Sequence, residues 1–304
     1  MEKIIYEIAC SMSNSPSVAV IGTDGRLGAA LAREYARDLE VTSYKRSQVD
    51  LGRLDQIRSV LSETEFDLLI NCAALTNVDY CESNRKEAFL LNAEAPRLLA
   101  EVCRDKAAKL IHFSTDYVFD GKKNDTYVEE DRADPLSVYG ESKLDGERRL
   151  LEVSSQHLVV RLSWVFGPDK PSFIDQIIQR ARENDVVTAV ADKFSAPTYT
   201  IDVANWLRRA VEKNANGILH LANNGGCSWQ EWAQYAIDVC RNLGLPLKAE
   251  RVEPVSLADM KNFVARRPVH TVLSSAKFTA MTGVQPRHWR EAVAEYITAH
   301  VSKK

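Results

Sequence analysis

Along this chain, short strand-like segments rich in apolar residues are separated by longer stretches where apolar residues recur every three or four positions. The segments fall at residues 18–21, 40–44, 66–70, 110–113 and 157–162. They are short for helices and show little alternation, the pattern of strands buried on both faces of a parallel sheet. The stretches between them, such as Leu31, Tyr35 and Leu39, carry the spacing of an amphipathic helix. Strand and helix therefore alternate, which predicts an α/β fold with a parallel sheet. Further along, 186–190 and 217–222 read as strands and 201–211 as a helix. Residues 229–243 read as a long helix with Trp232, Tyr235, Ala236, Val239 and Leu243 on its core face. No period of 20–50 residues or low-complexity tract interrupts the pattern.

Composition narrows the classes. The 304 residues allow one large domain or two modest ones. A net charge of −3 leaves no electrostatic footprint for nucleic acid. No apolar run approaches the ~18 residues needed to span a bilayer. Residues 1–17 form an extension in which Glu2, Lys3 and Glu7 break any apolar core, so it reads as a lead-in and not as a signal peptide. Cys10, Cys72, Cys81, Cys103, Cys227 and Cys240 include no CxxC pair, and the six histidines no HxH or HExxH cluster. Reduced thiols in a cytoplasmic enzyme are the expectation.

The candidate chemistry sits at the ends of the predicted strands, where open α/β sheets bind ligands. Leu110, Ile111 and Phe113 lead into Ser114-Thr115-Asp116, a hydroxyl pair and a carboxylate. Downstream, Tyr139 and Lys143 are four apart, so a helix would bring them to one face. An ammonium beside a phenol favours the phenolate and lowers its pKa toward the range of an acid/base catalyst. The first strand runs into Gly22-Thr-Asp-Gly25-Arg-Leu-Gly28, a glycine turn and helix N-terminus suited to a pyrophosphate. Asp24 places a negative charge in that loop and is expected to face solvent. The second strand ends in Lys45-Arg46, where NAD-preferring domains place an acid, so a 2′-phosphate and hence NADPH is favoured over NADH. Cys72 reads as a small buried filler, because no base lies near it in sequence.

Taken together, GxxGxxG, NxAAxTxVD, FSTDYVFDG, YGxSKLxGE, RxSWVFG and RPxxTxL resemble the extended short-chain dehydrogenase/reductases, most closely the dTDP-4-dehydrorhamnose reductase family. The resemblance runs from Val18 to about Ile297. It implies a Rossmann-type doubly wound parallel sheet over 18–168 that carries NADP(H), with segments near 198–224 returning to it. A smaller, discontinuous C-terminal substrate lobe would lie mainly within 169–304. It implies catalytic roles for Thr115, Tyr139 and Lys143, with Tyr139 protonating the product oxygen. Cofactor contacts would come from Gly22, Asp24, Gly25, Arg26, Leu27, Gly28 and Arg46, with Asp50 and Leu51 on the adenine side. Cys72, Ala73 and Ala74, Tyr139 and Lys143 would complete that set, with Asn92 ordering a water near the lysine. Sugar contacts would come from Thr76, Val78, Thr115, Asp116, Tyr117, Trp164 and Arg267. Asp116 has a second reading, as the buried partner of a local cation. Lys193 and Ser195 depart from the family's D-Q-x-G-x-P-T. The charged stretch 121–134 reads as a loop over the cleft, consistent with a lid.

The implied activity is NADPH-dependent reduction of the C4 keto group of a nucleotide-linked 4-keto-6-deoxyhexose. Two other readings stay open: a nucleotide-sugar epimerase or dehydratase of the same superfamily, and a non-catalytic NADP-binding regulator resembling the methionine adenosyltransferase β subunit. The expected partner is a nucleotide sugar, with no nucleic acid and no membrane. The family includes Mg²⁺-linked dimers and monomers; no motif here indicates Mg²⁺ or decides for a homodimer.

Overall fold

The computed structural model describes residues 16–302; most of the N-terminal extension, with Cys10, lies outside them. Its centre is a six-stranded sheet, parallel throughout. In chain order the strands are β1 (Val18–Ile21), β2 (Val41–Tyr44), β3 (Leu68–Asn71), β4 (Lys109–Thr115), β5 (Leu158–Leu162) and the strand Gly217–His220. Across the sheet the order is β2, β1, β3, β4, β5, then Gly217–His220. The order reverses between β1 and β3, the crevice where doubly wound sheets bind ligands.

Central strands are buried on both faces, as their largely apolar sequences predict: Val18, Ala19, Val20 and Ile21 are all within 2% of full burial. β2, at the edge, exposes Thr42 and Ser43 and buries only Tyr44. Helix Arg26–Tyr35 packs with helix Thr200–Glu212 on one face, and helices Ala95–Asp105 and Val138–Val153 pair on the other.

After β5, Phe166, Ile174, Tyr199, Trp232, Trp289 and Tyr296 build a separate aromatic core. Helix Trp229–Asn242 starts there at a capping box, with Ser228 and Glu231 each satisfying the other's backbone N–H. Its buried face is Trp232, Ala233, Ala236, Ile237 and Cys240. The face expected from sequence is therefore rotated, and Leu243 is 42% exposed beyond the helix end. Two apolar stripes run along this helix, and Ala233 and Ile237 lie on the one that meets helix Phe173–Glu183.

Two further expectations are corrected. The helix expected around Asn92 is not regular: Leu90–Glu94 forms a π-turn between helices Arg85–Phe89 and Ala95–Asp105. Stretch 121–134 is no lid, since Tyr127 stacks on Phe119 with ring centres 4.2 Å apart and pairs with Val272 and Ser274 through its backbone. Its charge is satisfied locally, by pairs such as Lys123–Asp131. Among the described residues no helix is long and apolar enough to cross a membrane, and none of the five described cysteines is bridged.

Candidate active site

A cleft of about 820 Å³ opens along the carboxyl ends of β1, β3, β4 and β5. Its first wall is the glycine loop. Gly22 has φ +85°, and a Cβ there would sit 2.7 Å from the Ala73 nitrogen. A Cβ on Gly28 would come within 2.3 Å of the Gly22 carbonyl oxygen. The loop thus closes tightly onto the N-terminus of helix Arg26–Tyr35, leaving free amides at a concave turn, which suits a dinucleotide pyrophosphate. Gly22, Asp24, Gly25, Arg26 and Leu27 line the cleft; Gly28 lies behind the turn it permits. Asp24 is exposed, and its carboxylate accepts the Arg46 N–H, 3.1 Å away. Arg46 is open to solvent and pairs with Asp50 at 3.5 Å. Arg26 donates to the carbonyls of Val165 (3.0 Å) and Lys170 (2.8 Å) and also to that of Pro171.

The floor is the exit of β3. Cys72, Ala73 and Ala74 line it, as do Asp50 and Leu51 at the far end. Cys72 is half-buried, and its surroundings push the thiol up from its ordinary value. Thr76 and Val78 continue along the rim. Asn92 does not reach the cleft: its side chain bonds the Leu75 N–H and carbonyl and the Ser142 hydroxyl. It fixes the turn before Thr76 instead. The π-turn makes this possible, and Gly146 allows it, because a Cβ there would be 2.0 Å from the Asn92 carbonyl.

The reacting end lies where β4 stops. Ser114, Thr115, Asp116, Tyr117, Tyr139 and Lys143 all meet the cleft. Helix Val138–Val153 is started by Ser137, whose hydroxyl accepts the Gly140 N–H, and it sets Tyr139 and Lys143 one turn apart. Burial raises the Tyr139 phenol above its ordinary value, while the neighbouring Thr115 hydroxyl acts in the opposite direction. The lowering by Lys143 expected from their spacing does not appear. Lys143 turns inward, 2.7 Å from the Phe113 carbonyl and 3.1 Å from His112 Nε2, and burial brings it down to about 8. The Ser114 hydroxyl is buried on the cleft with no partner among the described residues, an orphan that a polar ligand would satisfy.

Asp116 meets the cleft, and its carboxylate is held by hydroxyls. It is 2% exposed; one carboxylate oxygen accepts from Ser195 (3.1 Å) and Thr271 (2.5 Å), the other from Thr115 (3.2 Å). Burial raises its pKa, opposed by Lys193 and these hydroxyls. Lys193, fully buried, donates to the Pro268 carbonyl and lies 4.9 Å from the Tyr117 ring centre and 5.9 Å from that of Trp164. The two departures, Lys193 and Ser195, thus form the support under Asp116, Tyr117 and Trp164. Trp164 lines the cleft at φ +41° and stacks on Trp232, 5.7 Å away and 9° from parallel. Arg267 does not line the cleft. Its guanidinium grips both oxygens of Asp79 and lies 3.6 Å over the Phe263 ring.

Sequence reasoning missed Leu75, Glu87, Leu91, Phe113 and Ser163, which also line the cleft; generic apolar and small residues, or a lone glutamate on a helix, carry no signal. It also missed Asn71 and His112 beneath it, although His112, a polar residue inside the run before Ser114, was a visible anomaly. Among the described residues no group of three His, Cys, Asp or Glu side chains is placed to hold a metal.

Comparison with known proteins matches residues 17–302 to a family described as RmlD substrate binding domain. A dTDP-4-dehydrorhamnose reductase of Sinorhizobium fredii is 33% identical over 290 residues, covering 93% of this chain and 97% of the relative. A probable dTDP-4,6-dihydroxy-2-methyloxan-3-one 4-ketoreductase of Streptomyces antibioticus is 36% identical over 281 residues, 91% of this chain and 92% of that one. Among solved structures, dTDP-4-dehydrorhamnose reductase from Bacillus anthracis in complex with NADP superposes with a TM-score of 0.87 at 28% identity, covering 94% of this chain and 99% of that one.

Proposed function

Because the chain belongs to the RmlD family, alongside dTDP-4-dehydrorhamnose reductases, we propose that it reduces the C4 keto group of dTDP-4-dehydrorhamnose with NADPH, giving dTDP-rhamnose. The observation that carries this is the convergence of Thr115, Tyr139 and Lys143 between a glycine cradle and a tryptophan wall in one cleft.

The dinucleotide, bound along the glycine loop and the β3 exit, supplies the hydride. Tyr139 donates its proton to the oxygen that becomes the alcohol, and the Thr115 hydroxyl bonds the same oxygen and holds it in line. Burial keeps Tyr139 protonated until that oxygen gathers charge, as a general acid requires. Lys143 holds the nicotinamide ribose and, as a cation, steadies the phenolate left behind. Arg46 faces the 2′-phosphate, and Asp50 and Leu51 the adenine side. Thr76, Val78, Tyr117 and Trp164 border the sugar, with Lys193 and Asp116 setting the two aromatic rings. Asn92 and Arg267 act at one remove, by fixing the turn before Thr76 and the segment across from it. In this reading the C-terminal part of the chain, with its own aromatic core, supplies the sugar side.

The test is the oxidation of NADPH by purified protein, followed by its near-ultraviolet absorbance, on adding dTDP-4-dehydrorhamnose. Consumption in step with sugar product, faster with NADPH than NADH, is expected. NADPH binding without any oxidation dependent on the keto sugar would overturn the proposal and leave a regulator.

A further inference from the structure

Three side chains under the reacting residues form a hydrogen-bonded chain whose donors and acceptors can be counted. Asn71 ends β3, His112 is its register partner on β4, and Lys143 descends from helix Val138–Val153. All three are at most 1% exposed. Asn71 Oδ1 accepts the Ala73 N–H at 3.0 Å, so Nδ2 faces His112 Nδ1, also at 3.0 Å. His112 Nε2 is 3.1 Å from Lys143 Nζ, and Nζ donates to the Phe113 carbonyl at 2.7 Å.

An amide nitrogen only donates, so His112 Nδ1 must accept, and a neutral ring then carries its proton on Nε2. That Nε2–H points at Nζ and needs a lone pair there, which an amine has and an ammonium lacks. Reversing the Asn71 amide only moves the conflict, since Nδ2 would then face the Ala73 N–H. A doubly protonated ring would set donors against donors on both sides. Every group finds a partner in one state alone: His112 neutral with its proton on Nε2, and Lys143 an amine.

We propose that Asn71 and His112 are positioning residues that set the proton affinity of Lys143, favouring its amine form. The proposal rests on reading Lys143 as part of the catalytic set. Burial acts in the same direction, bringing Lys143 to about 8 and His112 well below its ordinary value.

The other charged groups around the pair are accounted for. Glu147, on the same helix, favours the ammonium, but Arg161 from β5 holds both its oxygens, at 2.9 and 2.7 Å. Tyr139 is protonated by burial, and Asp116 after β4 is bonded to Thr115, Ser195 and Thr271. Beyond the π-turn, Glu94 pairs with Arg149 and Arg85 with Glu141 nearer the surface. A cation at position 143 is present below its pKa and lost above it, so turnover is expected to fall as pH rises through about 8.

Two measurements test this. In the full chain labelled with nitrogen-15 histidine, long-range proton–nitrogen correlation at alkaline pH should show the Nε2–H tautomer for His112, assigned by its loss in His112→Gln. An Nδ1–H tautomer or an imidazolium would overturn the proposal without any turnover being needed. In Asn71→Asp, the carboxylate accepts from both Ala73 N–H and His112 Nδ1–H, and Nε2 becomes an acceptor for the ammonium. Lys143 titration, read by carbon-13 NMR and by the basic limb of kcat/KM, should move up by about 1–3 pH units. An unmoved or lowered midpoint overturns the proposal, and if that variant does not fold the tautomer decides. A protein that reduces no keto sugar at any pH would overturn the function above while both NMR readings still judge this proposal.

Discussion

Asp79→Asn is expected to open one side of the sugar cleft. Asp79 lies in the first turn of helix Val78–Ser83, next to the rim residue Val78. Its carboxylate accepts the N–H groups of Val264 and Ala265, both at 2.8 Å, and two bonds from Arg267 at 3.1 and 2.5 Å. Arg267 in turn covers Phe263, which meets Trp229 edge-on, and Trp229 packs on Trp164. One carboxylate therefore clasps segment 257–267 across to the tryptophan wall. The amide in the variant can keep one set of donors but turns its own N–H groups on the other. Breaking a fully buried ion pair costs about 3–5 kcal/mol. Asp79 keeps 29% of its exposure, which lowers the figure to about 2–3 kcal/mol. At 1.36 kcal/mol per factor of ten, local opening should become about 30- to 150-fold more frequent. Limited trypsin digestion at Lys261 and Arg266 reads that opening, and KM for the keto sugar should rise with NADPH affinity unchanged. The hydrogen bond from Arg267 holds the Asp79 carboxyl below its ordinary value. A depressed carboxyl stabilises fully above the unfolded pKa of about 3.9 and loses that contribution as pH falls through the folded value. Wild-type protein should therefore show the same local opening only in acid, read by amide hydrogen exchange. Unchanged digestion and unchanged KM in the variant would refute the clasp.

Tyr139→Phe should lose about 10²- to 10⁴-fold in turnover while still binding NADPH; near-normal turnover would remove Tyr139 from the chemistry. Arg46→Ala should weaken NADPH by roughly tenfold or more and leave NADH nearly untouched, since a charge-assisted bond to the 2′-phosphate is lost; equal losses in direct binding titrations would make Arg46 a surface charge. Trp164→Ala should raise KM for the keto sugar and also lower the melting temperature, because the stack on Trp232 contributes about 0.5–1.5 kcal/mol beyond buried area. NADPH affinity should hold, and its collapse in a binding titration would make Trp164 plain core.

What the sequence made legible was what short-range order controls. The run before Ser114 read as a buried strand, and the four-residue spacing of Tyr139 and Lys143 put them on one face of a helix. The glycine loop announced itself because its turn leaves no room for side chains. What stayed hidden depends on partners far along the chain. Asp79 meets Arg267 across 188 positions, and Asp116 meets Thr271 across 155. The direction of Lys143 was hidden for the same reason: spacing places it beside Tyr139, but its amino group meets His112, 31 positions back. Leu243 was misjudged because a helix with two apolar stripes does not say which one its neighbour will choose.

The grip of Arg26 on the carbonyls of Val165, Lys170 and Pro171 has a kinetic meaning. Arg26 belongs to the loop that would receive the pyrophosphate, and its three acceptors belong to the stretch just after Trp164. A phosphate that draws the guanidinium toward itself takes it from those carbonyls and frees the wall against which the sugar must settle. The two ligands would then share one element instead of entering independent halves of the cleft, an expectation that initial-rate kinetics with each ligand varied in turn would check.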